Sequence, residues 1–121
     1  MVSIDTKFKD KPWGYHTTLA EGNAYKVKYL IIYPSHELSY QYHKQREEIW
    51  TVLEGRGIAT INGIERLIEM DDVINIIPYA KHKVANHGNR QLIIHEVQLG
   101  DRCLEDDIIR LVDPYDRDIR T

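Results

Sequence analysis

A single cysteine, Cys103, is present in 121 residues. An intramolecular disulfide is therefore excluded, and the chain must fold on its own packing. Such sparse use of cysteine fits a reducing compartment. Long hydrophobic runs are also missing. No stretch approaches the roughly 20 apolar residues that cross a bilayer. Met1-Val2-Ser3-Ile4-Asp5 has no apolar signal-peptide core. The cytoplasm is the expected location, with no membrane partner. Charge of one sign is missing as well. Sixteen Lys and Arg stand against nineteen Asp and Glu, for a net charge of −3. No basic stripe or cationic amphipathic face emerges, so nucleic acid is not an expected partner. Linkers, repeats and low-complexity segments are absent. Helical periodicity does not occur before the tail.

What is present is a run of short apolar segments. Hydrophobic residues make up 42% of the chain, enough for a globular core. The length suits one domain, 1–121, which hides roughly two-thirds of its unfolded surface. Val-, Ile- and Tyr-rich segments at 26–33, 48–53, 57–61, 65–68, 73–77, 83–85 and 91–97 read as strands. Glu54-Gly55-Arg56-Gly57 and Asn62-Gly63 are the clearest turn signals, and Asn-Gly favours a tight hairpin. Many short strands at regular spacing predict a sandwich or barrel. The charged tail from Leu104 to Thr121 still carries Ile108, Ile109, Leu111, Val112 and Tyr115. It is expected to pack on the barrel, with 104–111 as a short turn or helix.

One segment concentrates chemistry: Gln41-Tyr42-His43-Lys44-Gln45-Arg46-Glu47-Glu48-Ile49-Trp50. Residues 41 and 43 leave a strand on the same face. Glu48 opens the next apolar run, and Gly55 follows at its turn. Far downstream lies Pro78-Tyr79-Ala80-Lys81-His82, with Asn86 after it. Two imidazoles, a carboxylate and an amide oxygen suit a borderline divalent ion: zinc, manganese, iron or cobalt. The predicted metal residues are Gln41, His43, Glu48 and His82. Asn86 reads as a turn-stabilising residue. His16, His36, His87 and His95 lack ligand spacing. Trp13 and Trp50 read as core or interface residues.

These two segments resemble the paired motifs of the cupins. Gln41 stands where a first His is usual, and Ala80 replaces a Gly. The match narrows to the C-terminal domain of type II phosphomannose isomerase. It runs from Lys11-Pro12-Trp13-Gly14 to Asp113-Pro114-Tyr115-Asp116-Arg117. Its most specific parts are Ser39-x-Gln41-x-His43-x-x-Arg46-x-Glu48-x-Trp50, Glu96-Val97-Gln98-x-Gly100 and Glu105-Asp106-Asp107-Ile108-Ile109-Arg110. The resemblance implies an all-β jelly-roll barrel with a short C-terminal helical or irregular segment. It implies zinc on Gln41, His43, Glu48 and His82. It also implies an aldose–ketose isomerase interconverting mannose 6-phosphate and fructose 6-phosphate through an enediol. That family is usually fused to a nucleotidyltransferase domain, which is missing here, so guanylyl transfer is not expected.

Such chemistry needs a Lewis acid, a base and a phosphate-binding cation. Arg46 is the first choice for the cation, to clamp phosphate or stabilise an enediolate. Lys28 shares parity with Leu30 and Ile32. It is either an inward phosphate binder or acid–base group, or a solvated edge-strand lysine. Glu96 alternates in phase with Leu92 and Ile94, so it points inward, as a proton-transfer base or as an orienter of a ligand histidine. Lys81 and Lys83 read as solvated, and Arg110 as one half of a structural ion pair. Two alternatives stand beside the isomerase. One is an iron-dependent dioxygenase on His43, Glu48 and His82. The other is a non-catalytic sugar- or sugar-phosphate-binding cupin. A homodimer formed through edge strands is the expected assembly.

Overall fold

The computed structural model describes residues 7–100 and 107–115. Among these there are eleven strands and no helix. In chain order they are β1 (Lys7–Lys11), β2 (Gly14–Glu21), β3 (Tyr25–Ile32), β4 (Tyr40–Tyr42), β5 (Glu47–Glu54), β6 (Arg56–Ile61), β7 (Ile64–Glu69), β8 (Val73–Ile76), β9 (His82–Ala85), β10 (Leu92–Leu99) and β11 (Ile109–Val112). They form a six-stranded sheet, β1-β2-β3-β10-β5-β8, and a five-stranded sheet, β11-β4-β9-β6-β7. The two inner faces enclose the core, as in other double-sheet jelly rolls. No helix of the described residues is long and apolar enough to cross a membrane.

Alternation fixes the faces. Trp50 and Val52 of β5, Leu30 and Ile32 of β3, and Leu92 and Ile94 of β10 point inward and are buried. Ala59, Ile68 and Val84 answer them from the second sheet. Asn62 and Gly63 both take the left-handed conformation, at φ 49° and 82°, which closes the β6–β7 hairpin tightly.

Register divides the barrel interior along its length. Leu92 faces Ile32, and Ile94 lies between Leu30 and Val52, so one end is apolar. Glu96 then lies between Lys28 and Trp50, and Gln98 faces Glu48. The same strands therefore build an apolar plug at one end and a polar chamber at the other.

The tail differs from the reading at 104–111. Residues 109–112 form a strand paired with β4, while 104–106 and Cys103 lie outside the described residues. Pairing to the edge of the sheet satisfies this backbone where helical bonds were expected. Strands β1 and β2 were also not read, and β4 was read only as the strand from which residues 41 and 43 project. The first is mostly lysine and aspartate, the second is threonine-rich, and the third has three residues. Each gains its conformation from a partner strand and not from apolar alternation. His43 falls just past the end of β4, in the turn after it.

Candidate metal centre

Three strands deliver the donors. His43 follows β4, Glu48 is the second residue of β5, and His82 opens β9. All three are buried, and their ligand atoms lie within 4.8 Å of one another. His43 Nε2 is 3.1 Å from Glu48 Oε2, and His82 Nε2 is 3.7 Å from Glu48 Oε1.

The outer ring nitrogens set the tautomers. His43 Nδ1 lies 2.6 Å from the Asp107 carbonyl oxygen, and His82 Nδ1 lies 2.9 Å from that of Ala80. A carbonyl oxygen only accepts, so both Nδ1 atoms carry the proton. Both Nε2 lone pairs then face inward, which is the form that binds a metal ion. His82 Nε2 is buried and has no hydrogen-bond partner among the described residues. Burial lowers the His82 pKa to about 4, despite the opposing pull of the Glu48 charge. The ring is therefore neutral at ordinary pH. Burial alone would raise the Glu48 pKa. His43, then Arg46 and His82, outweigh that and hold it well below the usual carboxylate range. Two imidazoles with Nε2 turned inward and one ionised carboxylate, with the unsatisfied His82 nitrogen between them, fit a divalent ion.

Gln41 sits opposite His82 in the β4–β9 pairing. Its amide oxygen accepts from the Ser39 hydroxyl at 2.9 Å. A carbonyl oxygen has a second lone pair, so this bond does not close Gln41 to a metal. Arg46 is buried. It donates from Nε to Glu48 Oε2 at 2.9 Å and from Nη2 to His43 Nε2 at 3.1 Å, so its charge is tied into the donor set. Lys28 is buried on β3, an internal strand, which removes the edge-strand reading.

Glu96 is also buried. The Trp50 indole N–H is shared between Glu48 Oε1 at 3.0 Å and Glu96 Oε1 at 3.2 Å. Gln98 donates to Glu96 Oε2 at 3.1 Å. Burial, and then the neighbouring Glu48 charge, raise the Glu96 pKa to about 8, against the pull of Lys28 and Arg46. In the metal-free protein Glu96 is therefore a neutral acid at pH 7.

Beside the donors opens a cavity lined in part by Lys11, Lys28, Gln41, Arg46, Glu96 and Arg110. Four of these six are cations. Lys11 and Arg110 were not read as site residues. Lys11 comes from β1, and Arg110 pairs with Gln41 through β11. Both lie inside segments that carried the resemblance, which was the available signal. Asp107 was also missed. Its carbonyl orients His43, and its carboxylate accepts from the backbone N–H groups of Lys44 and Gln45 at 3.0 and 2.9 Å. Asn86 stays outside the donor set. It donates to the Ile32 and Arg90 carbonyls and accepts from the Gly88 N–H.

Gly100 holds the turn that carries Arg46. A Cβ there would lie 2.1 Å from the Gln45 carbonyl oxygen and 3.0 Å from the Arg46 Cα. Gly100→Ala is expected to push this turn outward and cost roughly 1–3 kcal/mol. Thermal unfolding measures the cost, and a metal titration should show weakened binding.

A family profile described as "Mannose-6-phosphate isomerase C-terminal" matches residues 4–113. The chain belongs to this family. Among curated proteins, the mannose-1-phosphate guanylyltransferase ManC of Salmonella typhimurium is 36% identical over 107 residues. The mannose-1-phosphate guanylyltransferase of Escherichia coli K12 gives the same identity over the same length. Each match covers 88% of this chain but only 22% of the relative, so the chain spans about a fifth of their length. Among solved structures, a cupin protein from Bacteroides fragilis superposes with a TM-score of 0.60 at 24% identity. It covers 68% of this chain and 70% of the neighbour, and supports the fold alone. The fold is that of the cupins.

The isomerase expectation is corrected by these relatives. They are named for guanylyl transfer to mannose 1-phosphate and not for aldose–ketose isomerisation. The enzyme assignment falls with it. The enediol roles given to Arg46, Lys28 and Glu96 rested on that activity and are withdrawn. Their positions in the chamber remain.

Proposed function

We propose that this domain holds a divalent metal ion and binds a phosphorylated mannose against it. His43, Glu48 and His82 hold the ion, with Gln41 as a fourth donor. Zinc is the first candidate, ahead of manganese, cobalt and iron, because two imidazoles, a carboxylate and an amide oxygen make a mixed borderline set. The reading is carried by one observation. Lys11, Lys28, Arg46 and Arg110 line a cavity, beside the donors, in which Glu96 is the only carboxylate lining residue among the described residues. Such a lining favours a dianionic group, and charged hydrogen bonds from Arg and Lys recognise phosphate oxygens. The mannose-1-phosphate guanylyltransferase relatives supply the sugar class. When bound, the ion would polarise a sugar oxygen. Glu96, which lines the same cavity, would hydrogen-bond a sugar hydroxyl.

Calorimetry on metal-stripped and zinc-loaded protein tests this reading, with mannose 1-phosphate, mannose and inorganic phosphate as ligands. Mannose 1-phosphate is expected to bind the loaded form at least tenfold more tightly than mannose. Lys11→Met and Arg110→Met should each weaken it about tenfold, the loss of one charged hydrogen bond. Equal affinity for mannose and its phosphate, or no metal uptake, would overturn the reading.

A further inference from the structure

One turn touches both imidazoles of the donor set. Residues 77–80 form it, and the Ala80 N–H closes it by donating to the Ile77 carbonyl at 3.1 Å. Pro78 fixes the second position, and Tyr79 takes the third at φ 69°. That combination is a type II turn, whose third position ordinarily holds Gly or Asn. Among the described residues, the other non-glycine positions of positive φ are Ser35, Asn62 and Asp71, all with short polar side chains. Tyr79 is the bulky exception, and its Cβ crowds the following carbonyl in this conformation. Burial does not retain it, because Tyr79 keeps 62% of its surface.

Pro78 suits a type I turn equally well, and a bulky third residue favours that form. Passing to type I rotates the peptide between Pro78 and Tyr79 by about half a turn. The Tyr79 N–H would then leave its acceptor, the His43 carbonyl, which it now reaches at 2.7 Å. The Ala80 carbonyl accepts from His82 Nδ1 at 2.9 Å. The turn is thus fastened to the backbone of one imidazole donor and to the ring of the other. The Tyr79 ring stacks on that of Tyr42, the residue before His43, with centroids 6.1 Å apart and planes at 24°.

We infer, on the metal reading above, that Tyr79 is a positioning residue for the metal centre. Its left-handed backbone, held by the His43 carbonyl and by stacking on Tyr42, fixes His43 relative to His82. Strain of this kind persists only where the surroundings over-determine it, and here both restraints come from the 42–43 segment. The tether is needed at this place. Among the described residues, β4 and β9 share one register pair, Gln41 with His82, and His43 lies beyond it. A donor set grips an ion only while its supports hold it to about half an ångström.

Tyr79→Ala and Tyr79→Gly separate backbone from ring. Both lose the stacking on Tyr42. Alanine keeps the Cβ that strains the turn, whereas glycine removes it. Zinc titration against a competing chelator should show Tyr79→Ala weakened about tenfold, the scale of a lost support behind a metal ligand. Tyr79→Gly should stay within about threefold of wild type, since glycine adopts this φ freely. The visible spectrum of cobalt-loaded protein should shift in the alanine variant alone. A merely structural role would lower the stability of both variants and leave affinity and spectrum unmoved. Circular dichroism checks that each is folded. Hydrogen exchange in chelator reads the turn with no metal bound. Relative to its intrinsic rate, the residue-79 amide should exchange roughly tenfold more slowly in wild type and Tyr79→Gly than in Tyr79→Ala. An alanine variant that binds zinc as tightly as wild type, a glycine variant as weak as alanine, or an unprotected wild-type amide would each overturn the inference. Wild type that takes up no zinc, with its amide still protected, would instead overturn the metal reading and the inference with it.

Discussion

Glu48→Ala is expected to destabilise the metal-free protein by roughly 3–5 kcal/mol, the cost of stranding a buried charge. Glu48 is fully enclosed and receives three groups at once. Arg46 approaches one carboxylate oxygen at 2.8 Å, His43 lies 3.1 Å from the same oxygen, and the Trp50 indole donates to the other at 3.0 Å. Removing the carboxylate takes a neutralising partner, 2.8 Å away, from a guanidinium that is itself buried. Glu48→Gln keeps the shape and one acceptor oxygen, so it should cost less than alanine. Both substitutions should abolish high-affinity metal uptake, because the only anionic donor is gone. Urea unfolding of metal-stripped protein measures the first effect, and titration with zinc the second. An alanine variant as stable as wild type would show that Arg46 is neutralised elsewhere.

The second large effect is a pH dependence of metal-free stability that Glu96 and His82 set against each other. The Glu96 pKa is raised in the fold to about 8 from an ordinary 4.5. The folded state then binds the extra proton between these values, and stability falls as pH rises through that window. The His82 pKa is lowered to about 4 from 6.5. There the unfolded chain binds the extra proton, and stability rises with pH between about 4 and 6.5. Each slope is at most about 1.4 kcal/mol per pH unit. From about 4.5 to 6.5 the two oppose each other. From 6.5 to 8 only the Glu96 slope remains, so stability should decline there by up to roughly 2 kcal/mol. Below 4.5, protonation of Glu48, whose pKa is depressed, adds to the acid loss. Glu96→Gln removes the alkaline decline and should move the optimum from about 6.5 upward. Chemical denaturation at half-unit pH steps, with chelator present throughout, checks this. A decline of the same slope in the glutamine variant would assign it to another group.

Much of this chamber could be read from parity alone. Lys28 in phase with Leu30, and Glu96 in phase with Ile94, lie on the faces that a period of two dictates. The register then sets them opposite each other. His43, Glu48 and His82 were legible because motif spacing ties each to the end or start of a strand. Lys11, Asp107 and Arg110 were not. They reach the chamber only because β1 and β11 add to sheet edges, and no local periodicity records such an edge. The tail was misread for the same reason. Ile108, Ile109 and Leu111 suit one face of a helical turn as well as a strand, and pairing with β4 decided between them. The isomerase reading failed differently. It came from the activity that the motif resemblance implies, whereas the residues themselves specify only a donor set and a cationic lining.

Strand β10 lies between β3 and β5, although it follows β3 by some sixty residues. During synthesis every proposed metal donor leaves the ribosome before this central strand does. Until it arrives, β3 and β5 have no neighbour to bridge them, and the chamber lacks the wall that carries Glu96 and Gln98. Closure of so distant a pairing is slow by nature. A nascent chain therefore exposes imidazoles and a carboxylate for a time without the geometry to grip an ion. Stable loading belongs to the finished barrel, after translation has passed β10, Asp107 and β11.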